Sequence, residues 1–338
     1  MKTGSFVLSA LLLATPLAAQ TDTRACPPGN VGGSIPNLQR ATQDACQKAL
    51  DLFQYIAPQL GVAITGGNAT LGQGGTMGGL GHFSIGLRAN GLLGSLPEIA
   101  RFTLAVTGAE SATYGTRDQL IGLPAADLAV GLFRGLPLGV TNVGGVDLIV
   151  SAAYLPEFDG AGVQIKVPGG PLKLGFGARV GLLQESLIVP GVSVTYLKRD
   201  LPTVDITAGN GVDALRVDNL EVRTDAWRVV ASKSLLAFGL AIGGGRDRYK
   251  TSADLGATVG PRPPLTGTSI TVPGLNRIER DITRTNLFAD LSLNLPFFRL
   301  TGEIGRVSGG RIETFNKFEG KQAADSRFFG SVGARFGF

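Results

Sequence analysis

The sequence predicts an all-β chain, a closed antiparallel transmembrane β-barrel of twelve strands, or fourteen, preceded by a short helical segment. Three observations lead there. Apolar residues recur with a period of two over most of the chain beyond residue 80. No apolar stretch is long enough to cross a bilayer as a helix, which takes about 20 residues. Glycine is abundant, at 50 of 338 residues, and charged residues make up only 17%, against about 25% in ordinary soluble domains.

The N-terminus is read first. Met1–Gln20 carries Lys2, an apolar run from Phe6 to Leu13, then Pro16 and small residues. That order is a secretory signal peptide with cleavage near Ala19 or Gln20. Later apolar stretches are broken by Gly, Pro or charge. The chain therefore divides into a signal peptide at 1–20, an N-terminal segment at 21–79 and the barrel at 80–338. The remaining basic excess is mild and lacks interleaved aromatics, which argues against nucleic acid as a partner.

Cys26 and Cys46 follow the signal. In an oxidising compartment an isolated pair this close in sequence predicts one disulfide, with roughly 3 kcal/mol of stabilisation from closing the loop. Two cysteines and a single distant histidine, His82, offer no metal site, and no cofactor motif is present.

A helix comes next. Asn37 is placed to cap it, and Leu38, Ala41, Ala45, Ala49, Leu52, Phe53 and Ile56 recur at helical spacing. Arg40, Gln43, Asp44, Gln47, Lys48 and Asp51 take the other face, and Pro58 and Gly61 are expected to end it. It reads as a plug in the barrel mouth or, preferably, as an amphipathic lid on the periplasmic rim. Residues 61–81 are glycine-rich but hold neither a G-x-G-x-x-G nor a Walker lysine. They suit a flexible or lumen-packed plug or linker, with room for one short strand.

Alternation is clearest at 172–182, where Leu172, Leu174, Phe176, Ala178, Val180 and Leu182 alternate with Lys173, Gly175, Gly177, Arg179 and Gly181. The run is long for a soluble strand, and its second face of glycine and base suits a lumen. Residues 287–295 repeat the pattern, and Pro296 marks a tight turn. Eleven strands are expected, near 80–90, 99–107, 125–134, 146–155, 172–183, 192–200, 225–233, 235–249, 278–295, 297–307 and 326–338. Chain ends on one side require an even number. A strand within 60–71 gives twelve, and a hairpin within 203–222 gives fourteen.

The last strand reads SRFFGSVGARFGF, with Phe328, Val332, Ala334, Phe336 and Phe338 on one face. It resembles the terminal strand of bacterial outer-membrane β-barrels. That resemblance implies a place in the outer membrane, contact with its lipid, and recognition of the final aromatic by the barrel-assembly machinery. An N-terminal segment before such a barrel is also similar to the fatty-acid-transporter type, which implies a lumen closed by that segment; no binding residue carries over.

Two sets of side chains are candidates for function. His82-Phe83-Ser84 resembles the His-x-Ser pair of barrel lipid hydrolases, with Asn90 or Glu98 as a third member. Alternation, however, puts Phe83, Ile85 and Leu87 toward lipid and His82, Ser84 and Arg88 inside, the wrong wall for membrane lipid. No catalysis is expected. The second set is Arg88, Arg101, Lys173, Arg179, Arg228, Arg299, Arg327 and Arg335, assigned to the lumen by parity, with Asp290 and Glu303 as the main acids against them. They predict an electropositive interior favouring anions, or arginines paired off in the wall and against a plug.

The expected function is a monomeric outer-membrane channel or transporter for small solutes, with a constricted or plugged lumen. A lipid hydrolase, and a non-transporting barrel whose outer loops at 251–277 and 308–325 bind a partner, are the alternatives. The terminal aromatic gives the first test. Phe338→Ser should lower the amount of heat-resistant folded protein in the membrane fraction; unchanged heat-modifiable mobility on a gel contradicts the assembly role.

Overall fold

Strict alternation builds a strand when every second side chain meets an apolar medium and its neighbours meet a polar interior. The computed structural model describes Cys26 and residues 36–98, 103–160, 163–209, 212–261, 270–273 and 276–337, with backbone alone at 36–39, 160 and 270–273. The expected signal peptide, Arg101 and Phe338 lie outside the described residues.

Helix α1 (Pro36–Thr65) comes first, then β1 (Phe83–Pro97) and β2 (Thr116–Phe133). A small hairpin, β3 (Leu136–Leu138) and β4 (Thr141–Val143), leads to β5 (Gly145–Tyr154), β6 (Phe158–Gly160) and β7 (Val163–Lys166). There follow β8 (Leu172–Leu183), β9 (Gly191–Asp200), β10 (Val204–Gly209), β11 (Ala214–Leu235) and β12 (Phe238–Val259). The chain continues through β13 (Ile270–Pro273), β14 (Ile278–Asn294), β15 (Arg299–Ser308) and β16 (Arg327–Gly337).

Ten strands are hydrogen-bonded in the order β12, β14, β15, β16, β1, β2, β5, β8, β9, β11, and β11 pairs again with β12 to complete a ring. All these pairings are antiparallel, and β16 against β1 joins the two ends of the ring's chain, from Ser84 opposite Gly337 to Leu92 opposite Phe329. The connections at 134–144, 184–190, 236–237 and 295–298 gather at one end of the ring. The longer ones, at 98–115, 155–171, 201–213, 260–277 and 309–326, gather at the other.

The outward face carries an apolar belt next to the short-turn end. Leu172, Leu174, Phe176, Val180 and Leu182 of β8 are exposed, as are Trp227 and Val229 of β11, Leu240 and Ile242 of β12, and Leu287, Leu291 and Leu293 of β14. Nine to eleven residues of tilted strand span roughly 25 Å, the height of a hydrocarbon band. Above the belt the same parity turns charged, with exposed Lys198, Arg223, Arg246, Arg248 and Lys250.

Beyond the belt β11 and β12 continue, and β10, β7, β6 and β13 extend their sheet. Leu215, Val217, Val222, Leu255, Ala257 and Val259 pack there with Ala41, Ala45, Ala49, Leu52 and Phe53 of α1 in one buried core. The long-loop end is therefore a folded head with its own apolar interior. Cys26 is bonded to Cys46 on α1, with Cα atoms 5.9 Å apart, as expected.

Several expectations are corrected. The ring has ten strands among the described residues rather than twelve, since none forms at 60–71 or at 103–107. Residues 60–65 end α1 and 66–82 hold no strand, while 103–107 is a loop whose Leu104 and Val106 pack on the helix core. The alternation there serves the head. The hairpin within 203–222 exists as β10 on β11, but it belongs to the head. The turn between the strands expected at 225–233 and 235–249 lies at 236–237, where Leu236 takes a positive φ of 53°.

The helix does not stop at Pro58 but runs on to Thr65 with Pro58 inside it. Proline removes a helical donor, yet the following turn is held by packing: Val62 and Ala63 are buried with Leu92, Val230, Tyr249 and Phe288 of the ring. Nor does α1 lie as a lid across a rim: its last turns reach into the ring. It enters from the long-loop end, and its polar face is buried: Asp44 accepts from the amides of Ala105 (2.7 Å) and Glu110 (3.1 Å). Asp51 accepts from Asn316 Nδ2 at 2.6 Å and from the Asn316 amide at 2.8 Å. Burial pushes both carboxyls above the ordinary range, and Lys48 pulls Asp44 back.

The belt makes a sharp prediction. Leu291→Arg places a charge on the exposed apolar face of β14 and, on the expectation that this face meets lipid, should destabilise the folded protein by about 2–4 kcal/mol, read as a lower urea midpoint in lipid bilayers. An unchanged midpoint would mean that this face does not meet hydrocarbon.

Candidate functional site in the lumen

The last turn of α1 and the glycine-rich segment after it occupy the ring's interior. Gly66 caps the helix with a φ of 54°, and its amide bonds the Val62 carbonyl at 3.1 Å. Residues 67–77 then pass toward the short-turn end, touching inward side chains of strands all round the ring. Gly67 lies so close to the wall that a Cβ there would meet Glu303 Oε2 at 2.3 Å.

Four inward arginines face inward aspartates. Arg88 Nε is 2.9 Å from Asp127 Oδ2, and Arg199 Nη2 donates to Asp127 Oδ1 at 2.9 Å. Arg179 donates through Nε to Asp147 Oδ2 at 2.8 Å, and its Nη2 lies 2.7 Å from the same oxygen. Arg228 Nη1 donates to Asp247 Oδ1. These side chains are all at least nine-tenths buried, so each charge depends on its partner.

The same guanidiniums reach inward to the segment. Arg88 donates to the Asn68 carbonyl at 2.8 Å, Arg199 to Thr65 at 2.9 Å, and Arg228 to Gly67 at 2.9 Å and Gly66 at 3.1 Å. Arg179 Nη1 donates to Thr70 Oγ1 at 2.5 Å. The acids take the segment's amides. Glu303 accepts from Gly67 (3.1 Å) and Asn68 (2.5 Å), Asp290 from Gly72 (2.9 Å), and Asp147 from Met77 (3.0 Å). Donors and acceptors of a strandless segment are thus satisfied by wall charges.

Parity identified most of this set. Arg88, Arg179, Arg228 and Arg327 are buried inside the ring. Arg299 and Arg335 are half-buried near the short-turn end, where Arg299 donates to the Gly72 carbonyl at 2.9 Å and Arg335 to Gln73 Oε1 at 2.5 Å. Lys173 is a correction: it is exposed, because β8 begins to pair with β9 only at Phe176, and Lys173 stands beyond that wall. Arg199, Asp127, Asp147 and Asp247 were missed. Their signal was present, as single charges at inward parity in runs such as VDLIV and AADLAV.

The inward glycines of β8 make room for this network. At Gly175 a Cβ would lie 3.0 Å from Arg199 Cγ, so its absence lets Arg199 cross β8 to Ser151 and Asp127. At Gly181 a Cβ would meet Thr76 at 2.8 Å. The glycines therefore admit side chains and segment. Cavities of about 20 Å³ and 10 Å³ lie beside residues 65–71; the smaller is about one water probe.

The His82–Ser84 pair is not assembled. His82 precedes β1 and is exposed, against the inward placement expected, while Ser84 is buried inside. Among the described residues no hydrogen bond joins them, and Asn90 instead donates to the Ala63 carbonyl at 3.3 Å.

No family model and no curated protein matches the chain. Solved structures with some likeness include the translocator domain of autotransporter NalP from Neisseria meningitidis, 8% identical over 76% of this chain and 88% of that one, with a TM-score of 0.40. The Pseudomonas putida toluene transporter TodX is 10% identical over 76% and 88% of the two chains, with a TM-score of 0.25. The anion-selective porin from Comamonas acidovorans is 13% identical over 76% and 98%, with a TM-score of 0.18. What those proteins do is not carried over.

Removing Asp127 should leave Arg88 and Arg199 buried without their counter-charge. Asp127→Ala is expected to cost about 3–5 kcal/mol in denaturant unfolding. Ser193→Ala, which removes a buried hydroxyl that has no partner, should cost far less. Equal effects would show that the Asp127 contacts are dispensable.

Proposed function

We propose that this chain is an outer-membrane barrel sealed by its own N-terminal segment: it passes no solutes at rest, and its working surface is the head it holds outside the cell. One observation carries this reading. The inward arginines that could select an anion are the groups that hold residues 65–72, by the bonds described above. The membrane assignment rests on the apolar belt, on short turns at one end and long loops at the other, and on the signal-like N-terminus. The long-loop end is then the outer one, and Cys26, tied to α1, lies on that side.

On this reading the protein is a monomer that meets outer-membrane lipid through its belt and is inserted by assembly machinery acting on its C-terminal strand. It has no catalytic role and uses no cofactor. The outer loops and head offer a surface for a binding partner. One feature favours a gated channel as the second reading. The segment at 66–77 is attached mainly by polar bonds, so its displacement would expose Arg88, Arg179 and Arg228 along a path suited to small anions.

The two readings separate in one pair of measurements. An epitope inserted after Asp22 should be labelled by antibody on intact cells, and the purified protein should be silent in planar bilayers. Labelling only after permeabilisation would place the N-terminus inside and defeat the sealed-barrel reading. Steady or voltage-gated anion currents from the unmodified protein would favour the channel.

A further inference from the structure

Two of the buried inward arginines form no ion pair among the described residues. Arg284 on β14 and Arg327 on β16 are 1% and 6% exposed. They flank β15 near the outer mouth, where the buried Val307 pairs with Arg327. The four arginines deeper in the ring each meet an aspartate, whereas neither of these forms an ion pair among the described residues. Arg284 donates only through Nη2, to the carbonyls of Ala324 (3.1 Å) and Asp325 (2.6 Å) in the loop at 309–326. Its Nε and Nη1, and the Nε and Nη2 of Arg327, are buried without an acceptor.

The neighbouring acids are committed elsewhere. Asp247 accepts from Arg228, from Tyr249 at 3.1 Å and from Asn286 at 3.3 Å. The Asp325 carboxylate accepts from the Gln322 amide at 2.8 Å, and Asp118 holds Lys321 at 3.0 Å. A guanidinium does not shed its proton, and an uncompensated buried charge is strongly destabilising. Water could accept the four idle N–H groups but adds no charge to what Asp247, Asp325 and Asp118 supply from a distance. An oxyanion does both, through charge-assisted bonds for which the guanidinium fork is shaped.

We infer that Arg284 and Arg327 form a binding site for a tetrahedral oxyanion, a phosphate or sulfate group, under the loop at 309–326. The same loop borders a cavity of about 470 Å³ lined by Arg311, Glu313, Lys317 and Lys321. Arg311 is paired with Glu313 at 2.8 Å and Lys321 with Asp118 at 3.0 Å, which leaves Lys317 as the cation there that forms no ion pair among the described residues. Because Arg284 also grips the loop at 324–325, a bound anion would fix the loop against α1. The inference concerns the mouth, and it stands whether the barrel is sealed or gated.

The test is thermal unfolding of the full chain in nonionic detergent, with inorganic phosphate or sulfate replacing chloride at constant ionic strength. The midpoint should rise by about 3 °C or more at saturation. Arg284→Gln and Arg327→Gln should each reduce the rise and the double variant abolish it. Arg248→Gln, an exposed change above the belt, should leave it intact. A free ion and a lipid headgroup share this chemistry. A rise in detergent identifies the free ion; a rise only in phosphatidylglycerol nanodiscs, lost in the double variant, identifies the headgroup. No rise in either medium, or a full rise in the double variant, overturns the site. If the variants do not fold, selenate soaked into crystals of the unaltered protein decides: an anomalous peak between the two guanidiniums supports the site, and none refutes it.

Discussion

Asp127 on β2 receives Arg88 from the adjacent β1 and Arg199 from β9, three strands further round the ring, and both guanidiniums continue inward to carbonyls at residues 68 and 65. Arg179 with Asp147 and Arg228 with Asp247 repeat the arrangement around the ring. Each contact joins wall to wall and wall to segment. Buried ion pairs contribute little net stability compared with apolar packing, but removing one partner is costly. Such a network therefore specifies a single arrangement of the interior more than it strengthens it. The charged interior keeps residues 66–77 in the lumen, and the segment in turn gives those charges their remaining bonds.

The size of the ring follows the same logic. Small barrels are filled by their own side chains, and ten strands around one helical turn and an extended segment leave small spaces beside residues 65–71. The apolar packing is divided accordingly. Above the belt it lies in the head, where α1 meets β11 and β12; within the ring it is reduced to the cluster around Val62, Tyr249 and Phe288 and a smaller one in which Ala69 meets Ala129, Ile149 and Leu197. The helix is anchored by hydrophobic burial and a disulfide at the long-loop end, and the segment after it by hydrogen bonds within the ring. Any motion that opened the lumen would have to begin in the segment, not in the helix.

Much of this was legible in the residues. The period-two run at 172–182 gave β8 to within a residue, and parity placed Arg88, Arg179 and Arg228 inside. Strand number was harder to read. Leu104 and Val106 alternate as a strand does, yet pack on a helix, and alternation alone does not reveal which element an apolar face will meet. Pro58 and Gly61 marked a helix end that tertiary burial overrode, Gly61 being where the Tyr249 ring fits against the helix. The partners of the arginines were hidden for a different reason. Arg179 faces Asp147 across β5 and β8, and Arg88 and Arg228 meet acids on adjacent strands, so the register between neighbouring strands, which alternation does not reveal, brings them within reach; only Arg199 reaches Asp127 across strands that are not neighbours.

The central claim is that residues 66–77 are held inside the ring by wall charges. Hydrogen exchange of the unmodified protein in lipid nanodiscs measures this directly, since the amides of Gly67, Asn68, Gly72 and Met77 each donate to a wall carboxylate. Exchange this slow reflects opening of structure. The account predicts that peptides covering 66–77 exchange as slowly as those from the ring strands, over hours. Complete exchange of these amides within roughly seconds, beside protected strands, would show a lumen that the segment does not fill.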